Sequence, residues 1–301
     1  MTVWDPTGIW PRLMEAAQTI RPGDGLYPAA LAQRPDHPAA LRVVGSLGAP
    51  RARVAVVGTR DPDEYGRALA RRLAGGLARA GVSVVSGGAL GVDAAAHEAA
   101  LGAGGHTVAV LGSGLDVPHP KSNRPLFARI LASGGALVSE LDDDAPAAPW
   151  TFPRRNRIVS GMCDAVVVVR AGAKSGALIT AGLARAQGVP VFAVPGDVDH
   201  PLSAGPHELL RSGARVAATA ADVLAALGID AQAELPLERV DLPEGERALL
   251  SALGPRPRHA DELARATGLE TGAALAGLLA LELQGLCAQR PGHYFLRLVE
   301  G

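Results

Sequence analysis

Residues 165–169 read AVVVV, and this stretch decides the fold. Side chains alternate between the two faces of a strand, so a strand that is apolar on both faces must be buried between two layers. Similar runs stand at 54–57 (VAVV), 82–85 (VSVV), 107–111 (TVAVL) and 189–194 (VPVFAV), with alanine- and leucine-rich segments between them. Strands that alternate with helices predict a doubly wound α/β fold with a mostly parallel sheet.

Changes in this pattern divide the chain into four predicted segments. Residues 1–50 contain seven prolines, which favours an irregular N-terminal extension packed on the core. The α/β domain follows over 51–228, and we interpret 229–243 as a linker. Residues 244–301 show three helical stretches and then a hairpin around Pro291, a pattern typical of a winged-helix domain.

The third helix of that small domain is predicted over 271–285, TGAALAGLLALELQG. This stretch contains no Arg, Lys, Asn or His. A helix that reads duplex DNA needs such side chains to reach bases and phosphates in the major groove. We therefore expect the small domain to contact protein rather than to read duplex DNA.

Glycine- and serine-rich turns follow four strands of the predicted sheet. They are 58–60 (GTR), 86–91 (SGGALG), 112–114 (GSG) and 172–176 (GAKSG). In doubly wound sheets ligands bind at the carboxyl ends of the strands, where small residues let backbone N–H groups approach a phosphate. Four such turns at one edge predict an anion site.

The segment TFPRRNRIVS, residues 151–160, is predicted to begin a helix beside these turns. Pro153 suits the first helical position, because its fixed φ fits and its missing N–H needs no partner there. The first turn then carries three arginines, Arg154, Arg155 and Arg157. A helix N-terminus is already partly positive, so cations crowded there favour an anion in front of them. The alternative is a solvated basic turn that pairs with the acidic residues Glu140, Asp142, Asp143 and Asp144.

Composition sets the limits on these interpretations. The formal net charge is −1, so any nucleic-acid contact must come from a local basic patch. Lys121 and Lys174 are the two lysines, and the arginine excess favours planar contacts with phosphate, although genome composition produces the same bias. Cys163 and Cys287 have no metal or redox spacing, and no apolar run approaches the roughly 18 residues of a membrane span. We expect a soluble cytoplasmic protein.

Several enzyme classes are excluded by single positions. The turn at 172–176 is no P-loop, because Ala173 stands where a glycine must precede the lysine. The stretch GSGLDV is no dinucleotide fingerprint, because Val117 replaces its last glycine. No His/Cys cluster has metal-ligand spacing, and the isolated His97 and His106 are interpreted as structural. We expect no metal and no cofactor.

The remaining enzyme hypothesis is a nucleotide hydrolase on the same scaffold. Lysine-decarboxylase-like phosphoribohydrolases carry a PGGxGTxxE motif whose glutamate does chemistry, and this chain has AGAKSGALIT instead. Ile179 or Thr180 occupies the place of the glutamate, so a general acid–base group is missing. We expect binding without catalysis, and keep a nucleotide-ligand sensor or phosphoribohydrolase-like enzyme as the alternative.

Taken together, the motifs resemble a known family. They are, in order, VAVVGTR, VVSGGALGVDAAAH, TVAVLGSGLDVPHP, LVSEL, FPRRNRIVSG and SGALITAGLARAQGVPVFAVPGDVDHPLSAGPHELLRSGA. Over residues 25–227 this order and spacing resemble the DNA-processing protein A family (DprA, also called Smf). The resemblance implies a Rossmann-like domain that binds single-stranded DNA, a homodimer, and delivery of incoming strands to the recombinase RecA in natural transformation, without catalysis. A duplex-DNA regulator acting through the winged helix is a third hypothesis, disfavoured by the absence of basic residues from the third helix.

The resemblance also assigns residues. Arg60 and the segment 152–157 match the family's strand-binding positions, with Phe152 as the expected base-stacking side chain, and the loops of the same edge join them. The nucleic-acid-binding candidates are Gly58, Thr59, Arg60, Ser86, Gly87, Gly88, Ser113, Lys121, Asn123, Phe152, Arg154, Arg155, Asn156, Arg157, Lys174 and Ser175. The family's dimer surface gives His207, Leu210 and Val216 as candidate contacts.

Two departures from the family pattern affect these expectations. Many members carry a helical SAM-like domain before the segment that here contains Tyr27-Pro28, and we expect no such domain in this chain. The usual Tyr-Pro of the third-strand loop is His119-Pro120, so any tyrosine contact with DNA is lost there.

Overall fold

The computed structural model of the protein describes residue 10 and residues 14–230, 242–254, 256–283 and 286–297. The chain forms two compact units, Met1–Glu234 and Leu235–Glu300, each with its own hydrophobic core. The first contains the large sheet, and the second a smaller one.

A sheet of nine described strands organises the first unit. The strands are β1 (Gln18–Ile20), β2 (Leu41–Gly45), β3 (Arg53–Val57), β4 (Ser83–Ser86), β5 (Thr107–Val110), β6 (Ala136–Ser139), β7 (Ala165–Val168), β8 (Val191–Ala193) and β9 (Arg215–Val216). Their order is β1-β2-β6-β5-β4-β3-β7-β8-β9, parallel from β6 to β9. The chain leaves β3 on one side and returns at β7 on the other, so the strand order reverses between them.

Helices cover both faces of this sheet. They are α1 (Ala29–Ala32), α2 (Glu64–Arg79), α3 (Val92–Gly102), α4 (Arg124–Ala132), α5 (Thr151–Gly161), α6 (Gly176–Ala186), α7 (Ala204–Arg211) and α8 (Ala220–Ala226). One core joins α5 and α6 to the sheet, and another joins α2 and α3 to its opposite face. Every residue of β4 to β7 is buried, so the predicted doubly wound α/β fold is confirmed. Among the described helices, none has the length and apolar character needed to cross a membrane.

The N-terminal segment differs from the expected irregular extension. β1 and β2 add two antiparallel strands to the β6 edge of the sheet, and Ile20, Leu41 and Val43 are buried in the same core as the parallel strands. The prolines that suggested irregular structure flank these strands instead of interrupting them. The segment 18–45 is therefore part of the sheet.

The second unit contains the three helices and the hairpin expected of a winged helix. Its elements are α9 (Glu244–Ala252), β10 (Arg258–His259), α10 (Ala260–Thr267), α11 (Thr271–Leu283), β11 (Cys287–Arg290) and β12 (Tyr294–Arg297). The strands pair in the order β10-β12-β11, and Leu249, Leu263 and Phe295 are fully buried between sheet and helices. Most of the predicted linker, 229–243, lies outside the described residues.

The first prediction tests whether β2 is integral to the α/β core. Leu41 is fully buried, so Leu41→Ala should lower the free energy of unfolding by about 2–5 kcal/mol, as deletion of a buried leucine does. Leu26 is 59% exposed, and Leu26→Ala should change that free energy by less than about 0.5 kcal/mol. Urea unfolding followed by circular dichroism measures both variants. An unchanged midpoint for Leu41→Ala would show that the N-terminal segment is peripheral.

Candidate nucleic-acid interface

An open cavity of about 770 Å³ lies at the carboxyl ends of β3 and β7. This is the point where the strand order reverses, and doubly wound sheets bind ligands there because the flanking loops diverge. Three of the four predicted turns and the start of α5 line the cavity. The predicted site residues that line it are Gly58, Thr59, Arg60, Gly87, Phe152, Arg155, Asn156, Lys174 and Ser175.

Two exposed cations stand at the cavity wall. Arg60 follows β3, and Lys174 precedes α6; neither has an acidic partner among the described residues. The Arg60 guanidinium carbon lies 5.0 Å from the centroid of the Phe152 ring, which supports it by a cation–π contact. These two side chains are free to meet an anion.

Helix α6 begins at the same wall. Ser175 is its N-cap, and the Ser175 hydroxyl accepts a hydrogen bond from the backbone N–H of Ala177 at 3.3 Å. The N-terminus of a helix carries partial positive charge and unpaired amide donors, which favour a phosphate. The cavity thus combines side-chain and backbone donors for an anion.

Arg155 was expected to contact a phosphate, but its side chain is buried. It is only 7% exposed, and one guanidinium nitrogen donates to the carbonyls of Gly87 and Val110, at the ends of β4 and β5. Burial lowers the pKa of Arg155 to about 10, and the charge of Asp93 opposes that shift, so the group stays cationic at neutral pH. Arg155, Ile158 and Val159 are all buried on one face of α5, a spacing typical of the core side of a helix. Arg155 therefore holds the cavity floor together.

Arg154 and Arg157 both pair with an acidic residue, as the alternative interpretation of the basic turn predicted. Arg154 Nε lies 2.9 Å from a carboxylate oxygen of Glu140, and Arg157 pairs with the other oxygen of the same carboxylate. Neither arginine lines the cavity, and the Arg157 side chain is only 15% exposed. Asp143, by contrast, pairs with Arg42. The acidic partner of the arginine helix is thus Glu140.

Four further predicted residues shape the loops without lining the cavity. The Ser86 hydroxyl donates to the carbonyl of Val56, and the Asn123 amide donates to the Gly88 carbonyl at 2.9 Å. The Ser113 hydroxyl accepts from the N–H of His119 at 3.1 Å. Gly88 has φ of +66°, and a Cβ there would meet the Phe127 ring at 2.8 Å, so the position requires glycine. Lys121 is exposed outside the cavity.

Asp93 was missed by the sequence analysis. Its buried carboxylate accepts from the backbone N–H groups of Gly87 at 3.1 Å and Ala89 at 3.3 Å. Burial raises the pKa of Asp93, and the Arg155 charge and these hydrogen bonds oppose the rise. An acid in the first turn of α3, directly after the SGGALG turn, was the available signal.

Arg170 was missed as well. It follows β7, is 2% exposed, and pairs with Asp63 at 3.0 Å. The Arg170 side chain also donates to Ser203, which ties the β7 loop to the segment before α7. A single cation at the end of the otherwise apolar AVVVVR run was the signal.

The three predicted dimer residues lie near the far edge of the sheet. His207 Nε2 is 3.0 Å from the carbonyl oxygen of Gly196, and Leu210 is half-buried on α7. Val216 is 52% exposed on β9, the last strand of the sheet order. An exposed edge strand beside an apolar helix face is suited to pairing with a second copy. Their part in a dimer stays a prediction.

Comparison with known proteins connects this architecture to a family. The sequence profile described as "DNA recombination-mediator protein A" matches residues 18–228, and that of the "DprA winged helix domain" matches residues 233–293. The chain belongs to the DprA family. The resemblance seen in the sequence motifs is thereby confirmed, as is the winged-helix assignment of the C-terminal unit.

Named relatives and solved structures match most of this DprA-family chain. Protein Smf of Escherichia coli is 39% identical over 277 residues, which cover 89% of this chain and 74% of that protein. The crystal structure of DprA from Streptococcus pneumoniae is 38% identical in sequence and superposes with a TM-score of 0.65. This match covers 71% of the present chain and 76% of the Streptococcus pneumoniae chain. The structure of DNA processing protein A from Helicobacter pylori is described with its single-stranded DNA binding mode. It is 32% identical in sequence with a TM-score of 0.63, and the match covers 70% of the present chain and 95% of the Helicobacter pylori chain.

A buried histidine lies behind the Arg155 network of this DprA-family domain. His97 is fully buried, and its Nδ1 is 2.7 Å from the Thr107 hydroxyl, which itself donates to the Val84 carbonyl. The hydroxyl therefore accepts from Nδ1–H, and Nε2 is left buried without a partner among the described residues. Burial and the Arg155 charge lower the pKa of His97 from 6.5 to about 3.

The second prediction concerns this histidine and acid stability. Below pH 6.5 the unfolded chain protonates His97, whereas the folded protein keeps it neutral down to about pH 3. The contribution of His97 to stability is therefore fully present above pH 6.5 and is lost as the pH falls from 6.5 toward 3. One such proton lowers the free energy of unfolding by about 2 kcal/mol between pH 7 and pH 5. His97→Asn keeps a donor toward Thr107 but does not titrate, so its loss of stability over that interval should be smaller by this amount. Urea unfolding at both pH values measures it, and equal losses in wild type and variant would contradict the assignment.

Proposed function

We propose that the protein is a non-catalytic single-stranded DNA-binding protein whose cavity holds the phosphates of the strand. The observation that carries the proposal is the meeting of two unpaired cations, Arg60 and Lys174, with the N-terminus of α6 in one open cavity. The Helicobacter pylori relative is described with a single-stranded DNA binding mode, and its structure covers 70% of this chain. Phosphate contacts of this kind carry no sequence information, so the protein should bind strands of any sequence.

The distribution of charge favours a single strand over a duplex. A protein that binds duplex DNA tightly without base contacts needs many phosphate contacts, whereas the cavity offers two free cations and has a buried acid in its wall. In the C-terminal unit, α11 (TGAALAGLLALEL) has no basic residue to place in a major groove. We propose that this unit contacts protein.

The cavity wall also argues against hydrolysis. Its acidic residue, Asp93, is buried and already accepts two backbone hydrogen bonds. Ile179 and Thr180 line the wall where the phosphoribohydrolases have a glutamate. General acid–base catalysis needs a titratable group that can reach the substrate, and the described wall presents none in that position. A cavity of about 770 Å³ does fit a mononucleotide, so a nucleotide sensor remains the competing hypothesis.

We further propose that the protein protects incoming single strands in the cytoplasm and loads RecA on them in natural transformation and recombination. Membership in a family described as recombination mediators supports this role. The proposed assembly is a homodimer through α7 and β9, with His207, Leu210 and Val216 at the contact. None of these three residues lines the cavity, so binding and assembly should be separable by mutation.

The third prediction tests the ligand class. A mixed-sequence single strand should bind much more tightly than the matching duplex, and a mononucleotide should bind weakly, because only the strand combines several phosphates with unpaired bases. Each neutralised phosphate of a single strand contributes about −0.7 to the slope of log K against log salt. Arg60→Ala and Lys174→Ala should each flatten the slope by about that amount, and weaken all sequences alike.

Fluorescence anisotropy over a salt series measures these constants. Arg71→Ala is the control, because it removes an exposed cation of α2 outside the cavity and should leave the slope unchanged. Tight mononucleotide binding with no gain for a longer strand would favour the sensor hypothesis instead. Wild-type slopes in both cavity variants would show that Arg60 and Lys174 are not on phosphates.

The fourth prediction tests the proposed dimer. Val216→Asp places a charge on the exposed edge strand and should convert the dimer to a monomer, measured by light scattering after gel filtration. Leu26→Asp, at a 59% exposed position between β1 and β2 at the opposite end of the strand order, is the control and should stay dimeric. The monomeric variant should bind a short strand normally but assemble RecA filaments more slowly. A monomeric wild type, or a dimeric Val216→Asp, would refute the proposed surface.

A further inference from the structure

Trp150 is exposed beside the cavity and lies outside the set of residues predicted to bind DNA. Trp150 is 61% exposed, whereas Trp10 is 7% exposed and its indole N–H donates to the Leu115 carbonyl. Tryptophan is usually well buried, because its large indole gains more than most side chains by leaving water. An exposed indole next to a binding cavity therefore points to a ligand that covers it.

The backbone that carries Trp150 is held rigidly. The next residue, Thr151, is 2% exposed; its hydroxyl donates to the Gly112 carbonyl at 2.5 Å, and its N–H donates to the Ala148 carbonyl at 3.0 Å. Trp150 is also the N-cap residue of α5. A tryptophan on a fixed backbone has only two side-chain torsions to lose on binding, so it makes an efficient contact.

Phe152, the aromatic residue expected to stack on a base, is less available. The Arg60 guanidinium carbon lies 5.0 Å from its ring centroid, and the His119 ring centroid lies 5.6 Å away. A base that stacked on Phe152 would compete with these neighbours. Within the described part of the chain, no aromatic ring or guanidinium stacks on the Trp150 indole.

The position of Trp150 relates it to the proposed strand. Pro149 on one side and Phe152 on the other both line the cavity, so the backbone of Trp150 lies at its rim. We propose that Trp150 is the base-stacking platform of the site and takes a nucleobase next to the phosphates held by Arg60 and Lys174. This inference rests on the proposed single-strand binding. It gives Phe152 a different part, which is to support Arg60.

Stacking requires a planar ring, and this decides the variants. Trp150→Leu keeps an apolar side chain without a ring and should weaken binding of a mixed single strand by about 5- to 150-fold, the range measured for loss of one stacked base. Trp150→Phe keeps a ring and should retain most of the affinity. Both variants should keep the wild-type salt slope, because neither removes a phosphate contact. Leu26→Ala is the control and should bind as wild type does, since Leu26 is another exposed apolar residue (59%) and does not line the cavity.

Intrinsic fluorescence gives a second measurement. A single strand should quench the wild-type tryptophan emission, and the quenching should be largely absent in Trp150→Phe, which retains Trp4 and Trp10. Wild-type affinity in Trp150→Leu, equal losses in the Leu and Phe variants, or undiminished quenching in Trp150→Phe would each overturn the inference. Failure of the wild-type protein to bind any single strand would instead overturn the proposed function, and the two failures are thus distinguishable.

Discussion

Arg155 lies beneath the 86–91 turn, where its guanidinium donates to the carbonyl groups that end β4 and β5. Asp93 faces the same turn and accepts from two of its backbone N–H groups. A buried charge is costly unless hydrogen bonds and an opposite charge offset the lost hydration. Here both charges bind the same loop. The floor of the cavity depends on that arrangement, which the Asn123 amide completes by donating to the carbonyls of Gly88 and Ala89.

The arginines near the cavity therefore divide into two kinds. Arg155 and Arg170 are buried and hold loops against the ends of strands, and Arg157 is largely buried against Glu140. Arg60 and the lysine Lys174 are exposed and have no acidic partner among the described residues. A protein with a net charge of −1 can thus still present a local positive site, because most of its arginines near that site serve the fold.

The same division explains what a strand would meet on the surface. Phosphates would find two exposed cations and the amides of α6, and bases would find exposed apolar groups such as Trp150 and Ile179. Contacts of both kinds tolerate any sequence, since every nucleotide has a phosphate and a π-face. In the winged-helix unit, α11 carries no basic residue that could join these contacts.

Local periodicity allowed the sequence by itself to determine the α/β fold and the edge of the sheet that carries the loops; the family came instead from the resemblance of its ordered motifs. The run AVVVV and the glycine-rich turns suffice for the fold and the edge, because a strand buried on both faces and a tight turn each constrain the residue types locally. The strands of 18–45 escaped prediction, because short antiparallel edge strands between prolines have little periodicity of their own.

Only the tertiary structure decided which arginines are free. Arg154, Arg155 and Arg157 are neighbours in one motif, yet one packs under a loop and two share Glu140, which lies 14 and 17 residues earlier in the chain. Charge is visible in a sequence, but the groups that neutralise or bury it come from distant segments. The same holds for Trp150, because tryptophan is usually well buried and only the folded chain shows that this one is exposed.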